Sequence, residues 1–301
     1  MAINKDSNTY TIGFAIVLVI IVGGMLGMVA NGLKPIQDEN LKNEKKQYIL
    51  NCLPGNKLIT RDQAGDKFAE FVKQRLILNY NGEVVENTLL NSDNEVDIKN
   101  TNDAFSIDLL KEYKKFVQPI TNKFKGEELE NKLASESNIH YPLFICQVDG
   151  ETYYVAPVMG KGLWAAVWGY IALDKDGNKI EGAVFDHKSE TPGLGAEITQ
   201  DGFEDQFIGK LISNKDNYRP VAVNKPGNPL NEYQVDGISG GTFTGLGVEE
   251  MMRRTLIVYH KYIKNLNILS LTLFVLNTLG TSILGLIFYI LNNGFLIAMI
   301  I

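Results

Sequence analysis

Cysteine is scarce: Cys52 and Cys146 are the two in 301 residues, and they form neither a CxxC pair nor a zinc pattern. One disulfide in an oxidising compartment fits them, as do two separate buried thiols, and the second is the expected arrangement. Histidine is equally sparse. His140, His187 and His260 have no partners at metal-ligand spacing, and each reads as a surface or hydrogen-bonded ring. No Ser-His-Asp order or nucleophile elbow is present. Gly160-Lys161-Gly162 lacks the third glycine and the βαβ setting of a dinucleotide fingerprint. Charge is missing from residues 11–30 and from 265–301, so the net −6 falls on the stretch between them. A mildly acidic surface argues against nucleic acid and against adhesion to anionic lipid headgroups.

The first uncharged run is about 30 Å of helix at ~1.5 Å per residue, one hydrocarbon core thick. It is longer than the apolar region of a cleaved signal peptide and lacks a basic start, so it reads as a retained anchor. Gly23-x-x-x-Gly27 offers a small face to another membrane helix. Residues 31–53, with Leu41, Tyr48, Ile49 and Leu50, suggest an amphipathic helix leaving the membrane. The 55–140 stretch is polar and mixed. Helical spacing covers 66–78 (Phe68, Phe71, Val72, Leu76), short strands or loop 79–94, and helix 107–117. It shows no catalytic constellation, and its carboxylates read as a solvated face.

From Tyr141 the pattern turns to strands. Asp149-Gly150 is a hairpin signal between 143–148 and 151–158. Further strands cover 165–173 and 179–186, separated by Asp174-Lys175-Asp176-Gly177-Asn178. That run is no EF-hand, because its glycine comes too early and no bidentate glutamate follows. A short helix follows Asp201-Gly202, then a strand at 221–223. The expected class is α+β: an N-terminal transmembrane helix, then a soluble domain with an antiparallel sheet and flanking helices. The expected units are 11–30, 31–140, 141–264 and a hydrophobic tail at 265–301. Residues 268–291 are long enough to span a bilayer, which leaves a second membrane segment open.

The candidate site is Asp236-Gly237-Ile238-Ser239-Gly240-Gly241-Thr242-Phe243-Thr244-Gly245. Glycines permit a tight turn and close backbone approach. A helix reads from Val248, with Glu249 and Glu250 in its first turn and Arg253 and Arg254 later. Thr242 then lies on a turn before a helix N-terminus, a place suited to holding a phosphate or accepting one. A plain helix cap fits the same composition.

Asp236-Gly237-x-Ser239-Gly240-Gly241-Thr242 resembles the flavinylation motif Asp-x-x-Ser/Thr-Gly-Ala-Thr, with Gly241 where alanine is usual. That motif marks the C subunits of the sodium-translocating NADH:quinone reductases and the related G subunits of the Rnf electron-transport complexes. Gly160-x-Gly162-Leu163-Trp164 and His187-Lys188-Ser189-Glu190-Thr191-Pro192-Gly193-Leu194-Gly195 resemble two further stretches of their FMN-binding domain. Leu33 to Gln37 and Glu44 to Gln47 also look like the quinone reductase protein. The resemblance implies covalent FMN in phosphoester linkage to Thr242, attached by a flavin transferase using FAD and Mg²⁺. Ser239, Gly240, Trp164, Thr191, Gly193, Leu194 and Gly195 are the implied FMN contacts. No catalytic acid or base and no metal site is expected. It also implies other subunits of a sodium-pumping complex as partners, in a bacterial inner membrane with the flavin domain on the periplasmic side. Arg253, Arg254, Lys261 and Lys264 beside the tail point the other way under the positive-inside rule. An Rnf-type electron carrier and a membrane-anchored scaffold without cofactor are the competing functions.

Overall fold

The computed structural model describes residues 7–89, 100, 102–214 and 217–278. The tail beyond 278, and with it most of the expected 268–291 segment, lies outside the described residues, as do 90–99 of the 55–140 stretch.

The chain opens with α1 (Asn8–Asn51), capped by Ser7, whose hydroxyl accepts from the Tyr10 amide. The expected anchor and the amphipathic segment after it are therefore one helix of 44 residues. Pro35 removes one backbone donor without ending it. The apolar half is exposed all round and has a mean hydropathy of 2.7 over its most apolar window, as a lipid-facing helix requires. Only the far end is inserted in protein, through Ile49 and Leu50.

Next come α2 (Ala64–Phe71), β1 (Val72–Leu78) and β2 (Val84–Leu89). The helical spacing across 66–78 thus holds for half its length, and Val72 and Leu76 belong to a strand. Burial accounts for the difference. From Arg75 to Leu78 every residue of β1 is buried, so the period-2 alternation that marks a half-exposed strand is lost. Then follow α3 (Leu109–Glu112), a π-helical turn at Tyr113–Val117, α4 (Gln118–Lys123) and α5 (Gly126–Ser135).

The next four strands are β3 (Tyr141–Val148), β4 (Glu151–Lys161), β5 (Ala166–Leu173) and β6 (Ile180–His187). Asp149 and Gly150 both take positive φ, 52° and 84°, as a tight hairpin turn demands. The Asp174 carboxylate accepts from the Asn178 and Lys179 amides, so that loop closes on itself. The sheet order is β2-β1-β3-β4-β5-β6, antiparallel throughout, and it takes strands from both sides of residue 140. After β6 come α6 (Asp201–Glu204), β7 (Ser213–Asn214), β8 (Asn217–Tyr218), β9 (Ala222–Asn224), β10 (Gln234–Asp236) and α7 (Thr242–Thr278).

Alternation along the strands feeds two cores. Leu143, Ala156, Val158, Val167 and Ile171 meet Val248, Met251, Met252, Leu256 and Tyr259 of α7. On the other face, Phe144, Cys146, Val155, Tyr170 and Ala172 meet Ile49, Leu50 and Cys52 from α1 and its end, with Phe68 of α2. Both cysteines are buried and free, and burial raises both thiols above their ordinary range. Asp103 corrects the solvated-face reading of the carboxylates in 55–140. It is 2% exposed and receives Arg75 through two hydrogen bonds of 2.8 and 2.7 Å.

Glu204 is a buried acid with a pH consequence. Burial pushes its pKa from 4.5 up to about 7, against the opposing pull of the Phe185 N–H, which donates to Oε1 at 2.7 Å, and of nearby Lys57. A carboxyl raised in the folded state binds its proton more tightly there than in the unfolded chain, so stability declines as pH climbs from about 4.5 to 7. We expect the intact protein in detergent to melt at a lower temperature at pH 8 than at pH 5. Glu204→Gln should remove on the order of 2 kcal/mol of that difference. Identical pH profiles for the two proteins would refute the assignment.

Candidate functional site

Three separated stretches meet at the start of α7. Gly240 takes φ +74°, which permits the turn out of β10. Gly241 donates to Ile238 C=O at 2.9 Å, and α7 begins at Thr242. The helix starts earlier than the sequence suggests, so Glu249 and Glu250 are not in its first turn. Instead, Glu249 accepts from the Val223 amide, and Glu250 holds the buried Arg254 at 2.9 Å. The first helical bond back to this turn runs from Gly245 N–H to Gly241 C=O. The amides of Thr242, Phe243 and Thr244 therefore precede the helical ladder, at the positive end of the helix dipole.

The two threonines have opposite environments. Thr242 is exposed. Thr244 is 2% exposed and donates its hydroxyl to Glu190 Oε2 at 2.7 Å. Glu190 Oε1 accepts from the Trp164 and Ala165 amides at 2.9 and 3.1 Å. One buried carboxylate thus joins α7, the 162–165 turn and the 191–195 turn. Desolvation works to raise its pKa, but the hydrogen bonds from Thr244 and from the Trp164, Ala165 and Leu163 amides outweigh it and hold it below the ordinary value. His187 belongs to the same corner, where its ring has a bracing role: Nδ1 accepts from the Glu190 amide at 3.1 Å.

The 191–195 turn is closed by Thr191 C=O, which accepts from the Leu194 and Ala196 amides. Gly193 has φ +73° and donates to Glu197. Leu194 sits directly beside the α7 turn, since a Cβ on Gly240 would come within 2.5 Å of its Cδ2. Gly195 is buried, and a Cβ there would strike the Thr244 hydroxyl. Ser239, Gly240, Thr191 and Gly193 are exposed. Apolar surface is exposed on these stretches in quantity: Trp164 at 68%, Phe243 at 67%, Leu246 at 48%, Leu163 at 46% and Leu194 at 41%. Such a concentration in one corner marks a surface built to be covered.

The structure brings together in this corner the residues read from the sequence as cofactor contacts. Glu190 and Thr244 as the internal tie were not read. The one signal for them was glycine placement, since Gly162 and Gly195 leave room for the carboxylate. Among the described residues no group of three His, Cys, Asp or Glu side chains is placed to hold a metal.

Residues 162–257 match the family model described as FMN-binding domain. The C subunit of the Na(+)-translocating NADH-quinone reductase of Vibrio anguillarum is 30% identical over 83% of this chain and 90% of its own length. The solved C subunit of the Parabacteroides distasonis reductase is 36% identical, covers 77% of this chain and 96% of its own, and superposes with a TM-score of 0.59. The chain belongs to the C-subunit family of Na(+)-translocating NADH-quinone reductases. Shewanella oneidensis NqrC is similar at 26% identity, with a TM-score of 0.55 over 75% of this chain and 97% of its own.

The matched residues take in the 162–165, 187–195 and 236–245 stretches and end inside α7. The residues present fit FMN. They offer an open hydroxyl at a helix N-terminus, and a glycine turn in which Gly240 and Gly241 have little space for side chains. With the exposed apolar rim, these match a phosphate and a planar ring.

Proposed function

We propose that the chain is the FMN-carrying electron-transfer subunit of a membrane complex that couples NADH oxidation and quinone reduction to sodium-ion export. The FMN phosphate is joined to Thr242 Oγ1. A flavin transferase forms the ester from FAD with Mg²⁺, the threonine oxygen taking the FMN moiety as AMP leaves. Bound FMN supplies reversible electron uptake and release.

The chain's own residues hold and place that group. Thr242 fixes its phosphate, and the free amides of the first helical turn lie where the phosphate charge falls. Ser239 and Gly240 shape the turn. Trp164, Thr191, Gly193, Leu194 and Gly195 border the ring and keep water from one side of it. A tether keeps a relay's distance to its neighbours constant. Residues 11–30 anchor the chain, 31–140 build the membrane-proximal part, and 141–264 carry the flavin. The domain faces the periplasm from a bacterial inner membrane. The neighbours are the other subunits of the complex.

The observation that carries this reading is the contrast between Thr242, open at the helix start, and Thr244, sealed against Glu190. Intact-mass measurement of the chain from its native membrane, with peptide mapping, should place one FMN on the peptide containing Thr242, in a preparation that holds the other subunits. An unmodified Thr242 in flavin-replete cells would overturn it.

A further inference from the structure

We infer that Glu190 is the positioning residue of this site: its carboxylate assembles the three flavin-contacting stretches and sets a fixed negative charge beside the tethered cofactor. The inference rests on the assignment of FMN to Thr242. Its physical basis is an arrangement that is costly unless used. A carboxylate 5% exposed has lost most of its water, which is unfavourable unless its lone pairs find donors. The donors found are the Thr244 hydroxyl and the Trp164, Ala165 and Leu163 amides. All are neutral, so they solvate the charge without cancelling it. Together with Glu190 itself, they come from three segments far apart in the chain.

The chain also clears space for this one side chain. A Cβ on Gly162 would stand 2.7 Å from Glu190 Oε1, and a Cβ on Gly195 would stand 2.8 Å from Oε2. A Cβ on Gly247 would strike Lys161 C=O, so the strand leading to the Trp164 turn lies flush on α7. Glu190 is therefore wedged where the flavin stretches cross. The threonine it grips stands two positions after the one that carries the phosphate. Because electron uptake adds negative charge to the ring, a fixed anion at this position disfavours reduction.

Shape and charge separate by substitution. In Glu190→Gln the amide oxygen still accepts from Trp164 and Ala165, and the amide nitrogen donates to Thr244 Oγ1, so the platform stands while the charge is gone. Full-length chains coexpressed with the flavin transferase and purified in detergent provide the test. Glu190→Gln should load more FMN than Glu190→Ala and show a midpoint potential more positive than wild type. Glu190→Ala should load severalfold less FMN, and its flavin-free form should be cleaved faster by protease at the 162–165 and 191–195 turns. A Glu190→Gln potential equal to wild type overturns the inference, as does Glu190→Ala with unchanged loading and cleavage. If Glu190→Ala fails to fold, the Glu190→Gln potential decides alone. Failure of the Thr242 assignment looks different: the wild-type chain itself would carry no covalent flavin.

Discussion

Thr242→Ala is expected to abolish covalent flavin, with no FMN mass on the intact chain and no flavin fluorescence after denaturing electrophoresis. The other two hydroxyls of this turn are worse placed. Ser239 is exposed but lies on the far side of the Gly240 turn, before the helix amides begin. Thr244 is further into the helix, with its oxygen held by Glu190 at 2.7 Å and its surface closed. Thr242→Ser keeps the alcohol and should retain part of the loading. The fold should survive both changes, because an exposed threonine at this position contributes about 1 kcal/mol or less as a cap. Covalent flavin persisting in the alanine variant would refute the assignment, and mapping would then show which oxygen carries it.

The second large effect lies outside the flavin corner. Arg75 and Asp103 form a two-pronged ion pair with side chains 1% and 3% exposed. Asp103 Oδ1 also accepts from the Phe105 amide at 2.9 Å, so the pair fixes the start of a helical turn beside β1 and β3. Removing the acid alone takes two charge-assisted hydrogen bonds from a buried guanidinium in a medium that solvates it poorly. Asp103→Ala should therefore lower stability by about 3–5 kcal/mol, read by denaturant unfolding of the full chain in detergent. Replacing both partners with apolar residues of similar volume should cost clearly less, since no buried charge then loses its counterion. A double variant as damaged as the single one would show that the pair's hydrogen bonds, not its uncompensated charge, dominate.

The Gly240-Gly241-Thr242 turn is legible in the sequence because a glycine turn before a helix has a short-range signature. Asp149-Gly150 is legible for the same reason. The α+β class follows from regular strands and their turns. Arg75–Asp103 is not legible, because 28 residues separate the partners and the stretch around them looks like solvated surface. β1 is hidden by the burial of its last four residues, which erases the alternation that distinguishes a strand. The first helix reads as an anchor followed by a separate amphipathic segment, because its apolar run stops near Asn31 while its backbone does not. Glu190 stands inside a motif, yet its partners lie 25, 26 and 54 residues away. Its role exists only in three dimensions.

The anchor helix is also wired to this corner. The Tyr48 hydroxyl on α1 donates to Asp186 Oδ2, while Asp186 Oδ1 accepts from the His187 amide. The His187 ring in turn accepts from the Glu190 amide. Tyr48 is braced against Tyr170 with the rings 7° from parallel. Four residues thus join the end of the apolar helix to the Glu190 corner through an unbroken run of polar contacts, so anchor and corner share one frame.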